Sequence, residues 1–164
     1  MSDAPIDATT ADTVEPPTRS VGGVKVVGLL AIIAGVVMII AGIAVWIMVS
    51  NQLRDEKIVV PDDAAAFQGQ VVAGPFTAYV QAEVIQKHSL EASGGKTYAE
   101  LEQDDPVRAT MMNASFLRAS LFTSVVAFGV AALVIGVGIL SILIGWALRR
   151  LASAPVVVKR SAIA

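Results

Sequence analysis

The sequence contains no cysteine and only one histidine, His88, among its 164 residues. Without cysteine, the chain forms no disulfide, no cysteine-ligated zinc or iron–sulfur centre and no thiol nucleophile. A single histidine also falls short of the two or three that catalytic zinc sites and non-haem iron oxygenase sites typically use. The composition therefore predicts no metal cofactor held by one chain, and it favours a surface helix position for His88.

Charge is scarce as well. Charged residues make up 16% of the chain, against about 25% in soluble proteins. The net charge is only −2 and no basic run lies beside aromatic residues, so nothing indicates nucleic-acid binding. Hydrophobic residues instead make up 55%, and the mean hydropathy is +0.69. This balance indicates a membrane protein, with the lipid bilayer as its first partner.

Two long blocks, 26–49 and 121–148, carry no charged residue. A helix with the length of the first block is ~36 Å long, enough to cross a hydrocarbon core of about 30 Å. That block is also too long for the apolar region of a cleaved signal peptide, so both are predicted to be retained. The expected fold is all-α, with two transmembrane helices as an antiparallel hairpin and a mostly helical extracytoplasmic loop.

The two blocks divide the chain into five segments. The N-terminal tail is expected to be disordered because it cannot bury enough apolar area to offset its ordering entropy. The helix of the second span is expected to start outside the membrane, near residue 106. The predicted segments are a disordered cytoplasmic tail at 1–24, transmembrane helices at 25–49 and 116–148, an extracytoplasmic loop with short helices at 50–115, and a cytoplasmic tail at 149–164.

Basic residues beside the spans predict the orientation. Lys25 lies at the start of the first span, and Arg149 and Arg150 follow the second, whereas the segment between the spans carries five basic and ten acidic residues. Both termini are therefore predicted to be cytoplasmic, with the loop outside the cell (inner) membrane. Trp46 and Trp146 lie near span ends, where interfacial aromatic residues are expected.

Helix start and stop signals divide the loop. A helix is predicted from 75 to 92, with Glu83 and Lys87 spaced to form an i,i+4 pair. Gly94 and Gly95 are predicted to end this helix, because glycine accepts the left-handed conformation of a C-terminal cap.

A second set of signals follows these glycines. Thr97 and Glu100 match the capping box that starts a helix. Asp105 is expected to cap the long helix of the second span, and Pro106 is expected to be its first residue. The segment between the two predicted helices is thus interpreted mainly as a set of residues that end one helix and start the next.

The same segment also suggests two binding sites. Gly95-Lys96-Thr97 copies the end of a phosphate-binding P-loop, but leucine stands at position 90 where that motif requires glycine, so no nucleotide is expected. A cluster of acids nearby suggests a weak divalent-cation site, although it lacks the EF-hand pattern of a high-affinity calcium site. Helix capping and a solvated turn are the favoured interpretation. The acids are Glu100, Glu102, Asp104 and Asp105.

Glycines recur at seven-residue spacing inside both spans, which places them on stripes of a helix. Small residues let helix backbones approach closely in lipid, where no hydrophobic drive brings helices together. The stripes therefore have two possible uses, to pack the two spans together or to dock a helix of a partner. The glycines are Gly28, Gly35 and Gly42 in the first span, and Gly129, Gly136, Gly138 and Gly145 in the second.

The chain resembles a family of small two-span actinobacterial (mycobacterial-type) membrane proteins. The resemblance covers roughly residues 25–150 and is carried by segments such as RDEKIVVPDDA and GPFTAYVQAEVIQKHSLEASGGKTYAEL. Proteins of that family often carry the name aromatic ring-opening dioxygenase, LigA-like. The resemblance implies the two-span topology and, through that name, an oxidoreductase. Extradiol ring opening needs an iron site of the two-histidine type, whereas this chain has His88 alone, so only the topology is carried over.

The leading hypothesis is a membrane protein that acts by interaction, as an accessory or scaffold subunit. Its expected partner is another membrane protein or a second copy, with no cofactor, nucleotide or nucleic acid. One alternative is an enzyme of the ring-opening dioxygenase type. A transport component is a third possibility, which would require oligomers because two uncharged helices enclose no pore.

Overall fold

The computed structural model describes residues 21–153, and these residues form three α-helices and one short 3₁₀ helix. Their bounds are α1 Val21–Asp55, α2 Pro75–Ala92, the 3₁₀ helix Tyr98–Glu100 and α3 Arg108–Leu151. In the described part of the chain, extended pairing is limited to one isolated antiparallel bridge between Val59 and Val71. The described fold is therefore all-helical, as the sequence predicts.

α1 and α3 are each long and apolar enough to cross a membrane, by length and composition. At 1.5 Å per residue, α1 is about 50 Å long and α3 about 65 Å, against a hydrocarbon core of about 30 Å. Neither helix is interrupted by proline, and the glycines within them cost only helix propensity. Each helix thus has several turns more than a bilayer requires.

The helices run past the predicted boundaries. α1 begins at Val21, so residues 21–24 are helical and not disordered as predicted. It also continues to Asp55 and takes up the first residues of the predicted loop, because no proline or glycine breaks it there. At the other end of the chain, α3 extends to Leu151. The rest of the predicted tails, 1–20 and 154–164, lies outside the described residues.

α1 and α3 contact each other along opposite chain directions. Gly28 lies against Gly145, Gly35 against Gly138, and Gly42 against Ala131. Each step of seven residues up α1 therefore matches a step of seven residues back along α3. This constant register shows that the two helices stay in contact over at least two full heptads.

A small hydrophobic core covers one end of the α1–α3 pair. It combines the end of α1, the bridged segment, α2 and the adjacent turns of α3. Val60, Val72 and Phe128 are its largest fully buried side chains. The main buried members are Leu53, Val60, Ala64, Val72, Ala78, Ala82, Val84, Leu121 and Phe128.

The bridged segment joins α1 to α2 through backbone hydrogen bonds. The Val60 amide donates to the Gln70 carbonyl at 2.9 Å, and the Val72 amide donates to Ile58 at 2.8 Å. The Ser50 hydroxyl, near the end of α1, donates to the Ala73 carbonyl at 2.7 Å. These bonds satisfy backbone groups of a loop that packs on the helices. They also fix the start of α2 beside the end of α1.

Candidate functional site

Five glycines lie where α1 and α3 meet. Gly28, Gly35, Gly42, Gly138 and Gly145 are all buried in the contact. A Cβ atom on Gly35 would stand 2.5 Å from the carbonyl oxygen of Gly138, closer than such atoms pack. The backbones therefore approach too closely for any side chain, which is how small residues let helices gain dispersion energy in lipid.

Gly129 and Gly136 face away from this contact. A Cβ atom on either residue would meet nothing within 4 Å. At about 100° per residue, Gly136 lies roughly 160° around α3 from Gly138, on the opposite face. Of the two uses that the sequence leaves open, pairing α1 with α3 therefore accounts for five of the seven glycines and does not account for Gly129 and Gly136.

The start of α1 and the end of α3 form one end of the helix pair, and this end is basic. Arg149 passes beside Gly28, so that its Cγ would stand 2.8 Å from a Cβ atom there. Exposed Lys25 and Arg150 lie at the same end, and the Arg150 guanidinium lies 5.0 Å from the ring centroid of Trp146. The structure thus places Lys25, Arg149 and Arg150, the basic residues that flank the two predicted spans, at one end of the helix pair.

The other tryptophan lies nearer the opposite end of the helix pair, where α2 packs. Trp46 packs edge-to-face on Phe128 with ring centroids 4.8 Å apart. Phe122 lies on α3, between one and two turns before Phe128. Its ring makes a similar contact with Tyr79 at the start of α2, with ring centroids 5.9 Å apart. Aromatic side chains therefore surround the place where α2 joins the two long helices.

A surface cluster of charged groups connects α2 to the bridged segment. Asp63 accepts a hydrogen bond from Lys87 at 3.0 Å, and its carboxylate lies 2.8 Å from His88 Nε2. Hydrogen bonds from His88 and Lys87 lower the pKa of Asp63 from 3.8 to about 2, and the bond to Asp63 raises the pKa of Lys87. Lys87 thus pairs with Asp63, and the predicted bond to Glu83 is absent from the described contacts.

The three side chains of this cluster are about half exposed, and exposed pairs add little stability. His88 therefore lies on the surface of α2, as the sequence favours, with a partner that is 25 residues away in the chain. Residues so far apart in the chain show no sequence pattern that predicts their contact. The fold of the bridged segment brings Asp63 to α2.

The two glycines after α2 adopt the left-handed conformation, with φ of +66° at Gly94 and +86° at Gly95. The Gly95 amide donates to the Leu90 carbonyl at 2.7 Å, so the last turn of α2 is closed by a backbone bond. In the 3₁₀ helix that follows, Glu100 accepts hydrogen bonds from the amide and the hydroxyl of Thr97, both at 2.7 Å. The Thr97 amide bond is the main reason that the pKa of Glu100 is lowered.

α3 begins later than the sequence predicts, at Arg108 instead of Pro106. The Asp105 carboxylate accepts a hydrogen bond from the Val107 amide at 2.8 Å, so it caps a tight first turn. That turn has i→i+3 geometry, since the Arg108 amide donates to the Asp105 carbonyl at 3.0 Å. Pro106 therefore lies in this turn, just before the regular α-helix.

Arg108 links the 3₁₀ helix to α3. Its guanidinium donates to the carbonyl of Leu101 at 2.5 Å and to that of Tyr98 at 3.3 Å. It also lies 4.1 Å from the ring centroid of Tyr98. The segment between α2 and α3 is thus held by side chain to backbone contacts.

The suggested binding motifs have other structural roles. Gly95 and Lys96 follow a helix, whereas a P-loop follows a strand. Within residues 21–153, no three His, Cys, Asp or Glu side chains come together as a metal site would require. Glu100 and Asp105, two of the four acids considered for a cation, accept hydrogen bonds from backbone amides.

Two buried polar atoms at the contact of α2 with α3 were not signalled by the sequence. Gln81 Oε1 and Arg118 Nε have no hydrogen-bond partner within the described residues. Arg118 lies over the Phe122 ring at 5.7 Å and lines a cleft with Gln86 and Ser89. Gln81 lines a second and larger cleft with Glu56. Neither residue belongs to a motif, so only the packing of the helices identifies them.

No family model, curated protein or solved structure matches the chain. The geometry of the helices and the loop therefore carries the functional argument.

Proposed function

We propose that this protein is an integral protein of the cell membrane, whose helices α1 and α3 cross the bilayer as an antiparallel hairpin. Both termini lie in the cytoplasm, and α2 with the segments around it forms an extracytoplasmic cap. The proposal is supported by the basic end of the helix pair, which contains Lys25, Arg149 and Arg150. Basic residues favour the cytoplasmic side of a membrane.

The tryptophans support this placement independently. Trp46 contacts Phe128, so the two lie at one level of the pair. Trp146 follows Phe128 by eighteen residues of α3, a rise of about 27 Å along the helix. This separation is close to the hydrocarbon thickness of about 30 Å, and tryptophan is enriched at both of its boundaries.

Within the membrane, we propose that the protein acts as an accessory or scaffold subunit that packs against a helix of another membrane protein or a second copy. The observation that carries this role is the position of Gly129 and Gly136. They are open on the face of α3 opposite α1, where small residues permit a close helix contact. Ala132 lies between them on an exposed part of the same helix.

The test places larger side chains on this face of α3 and leaves the contact of α1 with α3 unchanged. A photo-cross-linking residue at Leu140, which is exposed in the structure, reports the neighbour of α3 in native membranes. Gly129→Leu combined with Gly136→Leu is expected to lower the yield of the cross-linked product about tenfold, as the loss of about 1.4 kcal/mol of packing would. An adduct of two copies identifies self-association, and any other adduct identifies a different subunit.

The matched control is Ile139→Phe, which adds volume to an exposed position of α3 about 60° around the helix from Gly136 and about 80° from Gly129. This variant is expected to keep the cross-link. Equal yields for the unsubstituted protein and the double leucine variant would contradict the proposed role, and so would an equal loss in the Ile139→Phe control.

A further inference from the structure

A cleft lies at the basic end of the helix pair, where α1 begins and α3 ends. It has a volume of about 240 Å³ and is lined by Ile32 of α1 and by Trp146, Arg149, Arg150 and Ser153 of α3. That volume is just below the range of about 300–1,000 Å³ for sites that hold drug-sized ligands. The cleft therefore suits a smaller group, such as a single headgroup.

The polar groups that line the cleft are mostly hydrogen-bond donors. Arg149 and Arg150 bring two guanidinium groups, and the Trp146 indole carries one further N–H donor. None of the lining residues is acidic. α3 contains no acidic residue, and the only one in α1 is Asp55 at its far end. The cleft therefore favours an anion, and the planar guanidinium group matches the paired oxygens of a phosphate.

Both arginines are accessible to a ligand and are also held in place. They are exposed in the structure. The Arg150 guanidinium lies 5.0 Å from the ring centroid of Trp146, within the range of a cation–π contact. The stem of Arg149 passes Gly28, where an added Cβ atom would stand 2.8 Å from Arg149 Cγ. Since groups that are already positioned lose less conformational entropy on binding, these contacts favour a ligand in the cleft.

The cleft changes from basic to apolar along the helix axis. Arg149 and Arg150 follow Trp146 by three and four residues, a rise of about 5 Å toward the end of α3. Ile32 lies four residues after Gly28 in α1, about 6 Å further into the span. A phospholipid has the same order, with its phosphate in the headgroup region and its acyl chains in the hydrocarbon core.

We infer that this cleft binds the headgroup of an anionic phospholipid in the cytoplasmic leaflet, with its phosphate on Arg149 and Arg150 and an acyl chain along Ile32. A zwitterionic lipid would also bring an ammonium group, for which the lining has no carboxylate. The cytoplasmic leaflet is the one that carries anionic lipids. The inference rests on the membrane placement proposed above and is independent of the helix partner.

Trp146 lines the cleft and therefore reports which lipid lies there. In the Trp46→Phe variant it is the only tryptophan of the chain, and brominated acyl chains quench its fluorescence on contact. In phosphatidylcholine nanodiscs with about 10% phosphatidylglycerol, an about tenfold preference fills about half of the sites, against about a tenth without preference. Because unselected lipids also touch the ring, brominated phosphatidylglycerol is expected to quench about threefold more than the same fraction of brominated phosphatidylcholine.

Charge-deleting variants distinguish the cleft from the general charge of this end. Arg149→Gln and Arg150→Gln are each expected to remove most of the difference between the two brominated lipids. Lys25→Gln deletes the same charge from an exposed residue of the same end that does not line the cleft, and it should leave most of the difference. Quenching is measured against the same variant in unlabelled nanodiscs, so the lost contact of Arg150 with Trp146 does not enter. Circular dichroism shows whether the helices have formed.

Inorganic phosphate distinguishes a lipid from a soluble anion as the source of the phosphate group. Added phosphate is expected to lower the quenching by brominated phosphatidylglycerol no more than chloride does at equal ionic strength, because the acyl chain adds apolar contact that a free ion lacks. A loss that is specific to phosphate would identify the ligand as a water-soluble phosphate and overturn the lipid assignment.

Two further results would overturn the inference and leave the membrane hairpin intact. Equal quenching by the two brominated lipids would show that the cleft has no preference. An equal loss in Lys25→Gln and in Arg149→Gln would reduce the preference to diffuse surface charge. By contrast, Trp146 fluorescence that is unquenched even in nanodiscs made wholly of brominated phosphatidylcholine would contradict the membrane placement itself, and the inference with it.

Discussion

Replacing Gly35 with valine is expected to lower the free energy of unfolding by roughly 3 kcal/mol, the upper end of the usual cost of overpacking. A Cβ atom at this position would stand 2.5 Å from the Gly138 carbonyl oxygen and 2.7 Å from Ile142 Cγ1. The first of these neighbours is backbone and cannot rotate away. The two helices must therefore separate locally, and the dispersion energy of their contact is lost.

The matched control for Gly35→Val is Gly136→Val, the same substitution at a glycine whose surroundings are open. In detergent micelles with one chain each, Gly136→Val is expected to unfold at the same denaturant concentration as the unsubstituted protein. Unfolding is followed by the fluorescence of Trp46, with Trp146 replaced by phenylalanine. Equal midpoints for Gly35→Val and Gly136→Val would show that α1 and α3 do not pack as described.

Phe128→Ala is the second large effect, with an expected loss of about 3 kcal/mol. Only 1% of the Phe128 surface is exposed, and the ring contacts Trp46. The residue belongs to the same buried cluster as Ala78 and Ala82 of α2. Its removal leaves a cavity at the place where the cap joins the helix pair. The cost is at the low end of the range for Phe→Ala because lipid replaces part of the aqueous reference state.

Hydrogen exchange of the α2 amides measures this loss directly. For amides of α2 that open only with the whole cap, Phe128→Ala is expected to speed exchange about a hundredfold, since every 1.4 kcal/mol is a factor of ten. Phe116→Ala provides the control on the same helix, because that ring is 65% exposed. Unchanged exchange of α2 in Phe128→Ala would show that the cap does not depend on this contact.

The sequence predicts those features that are local. The charge-free blocks predict the two long helices, because no other regular structure spans that length of apolar chain. Proline and glycine predict α2, which has the bounds Pro75–Ala92 in the structure. Boundaries are less reliable, since nothing marks the last turns of a helix that continues into water. α1 therefore ends six residues after the predicted span, at Asp55.

Features that depend on how the helices pack could not be predicted from the sequence. The heptad spacing identifies seven glycines as small-residue positions, but only the register of α1 against α3 separates Gly35 and Gly138 from Gly129 and Gly136. Lys87 has an acid at the right spacing in Glu83, yet it pairs with Asp63 because the bridged segment folds back on α2. The cleft at Gln81 is formed by three helices and has no sequence signal.

The most direct test of the whole account is the position of the cap and of the basic end relative to the membrane. Single cysteines at Gln70, Ala99 and Ser153, all exposed in the structure, are treated in intact cells with a maleimide that cannot cross membranes. We expect Gln70→Cys and Ala99→Cys to be labelled, and Ser153→Cys to be labelled only after the cells are permeabilised. Labelling of Ser153→Cys alone in intact cells would contradict the proposed orientation, and labelling of all three would contradict the membrane hairpin itself.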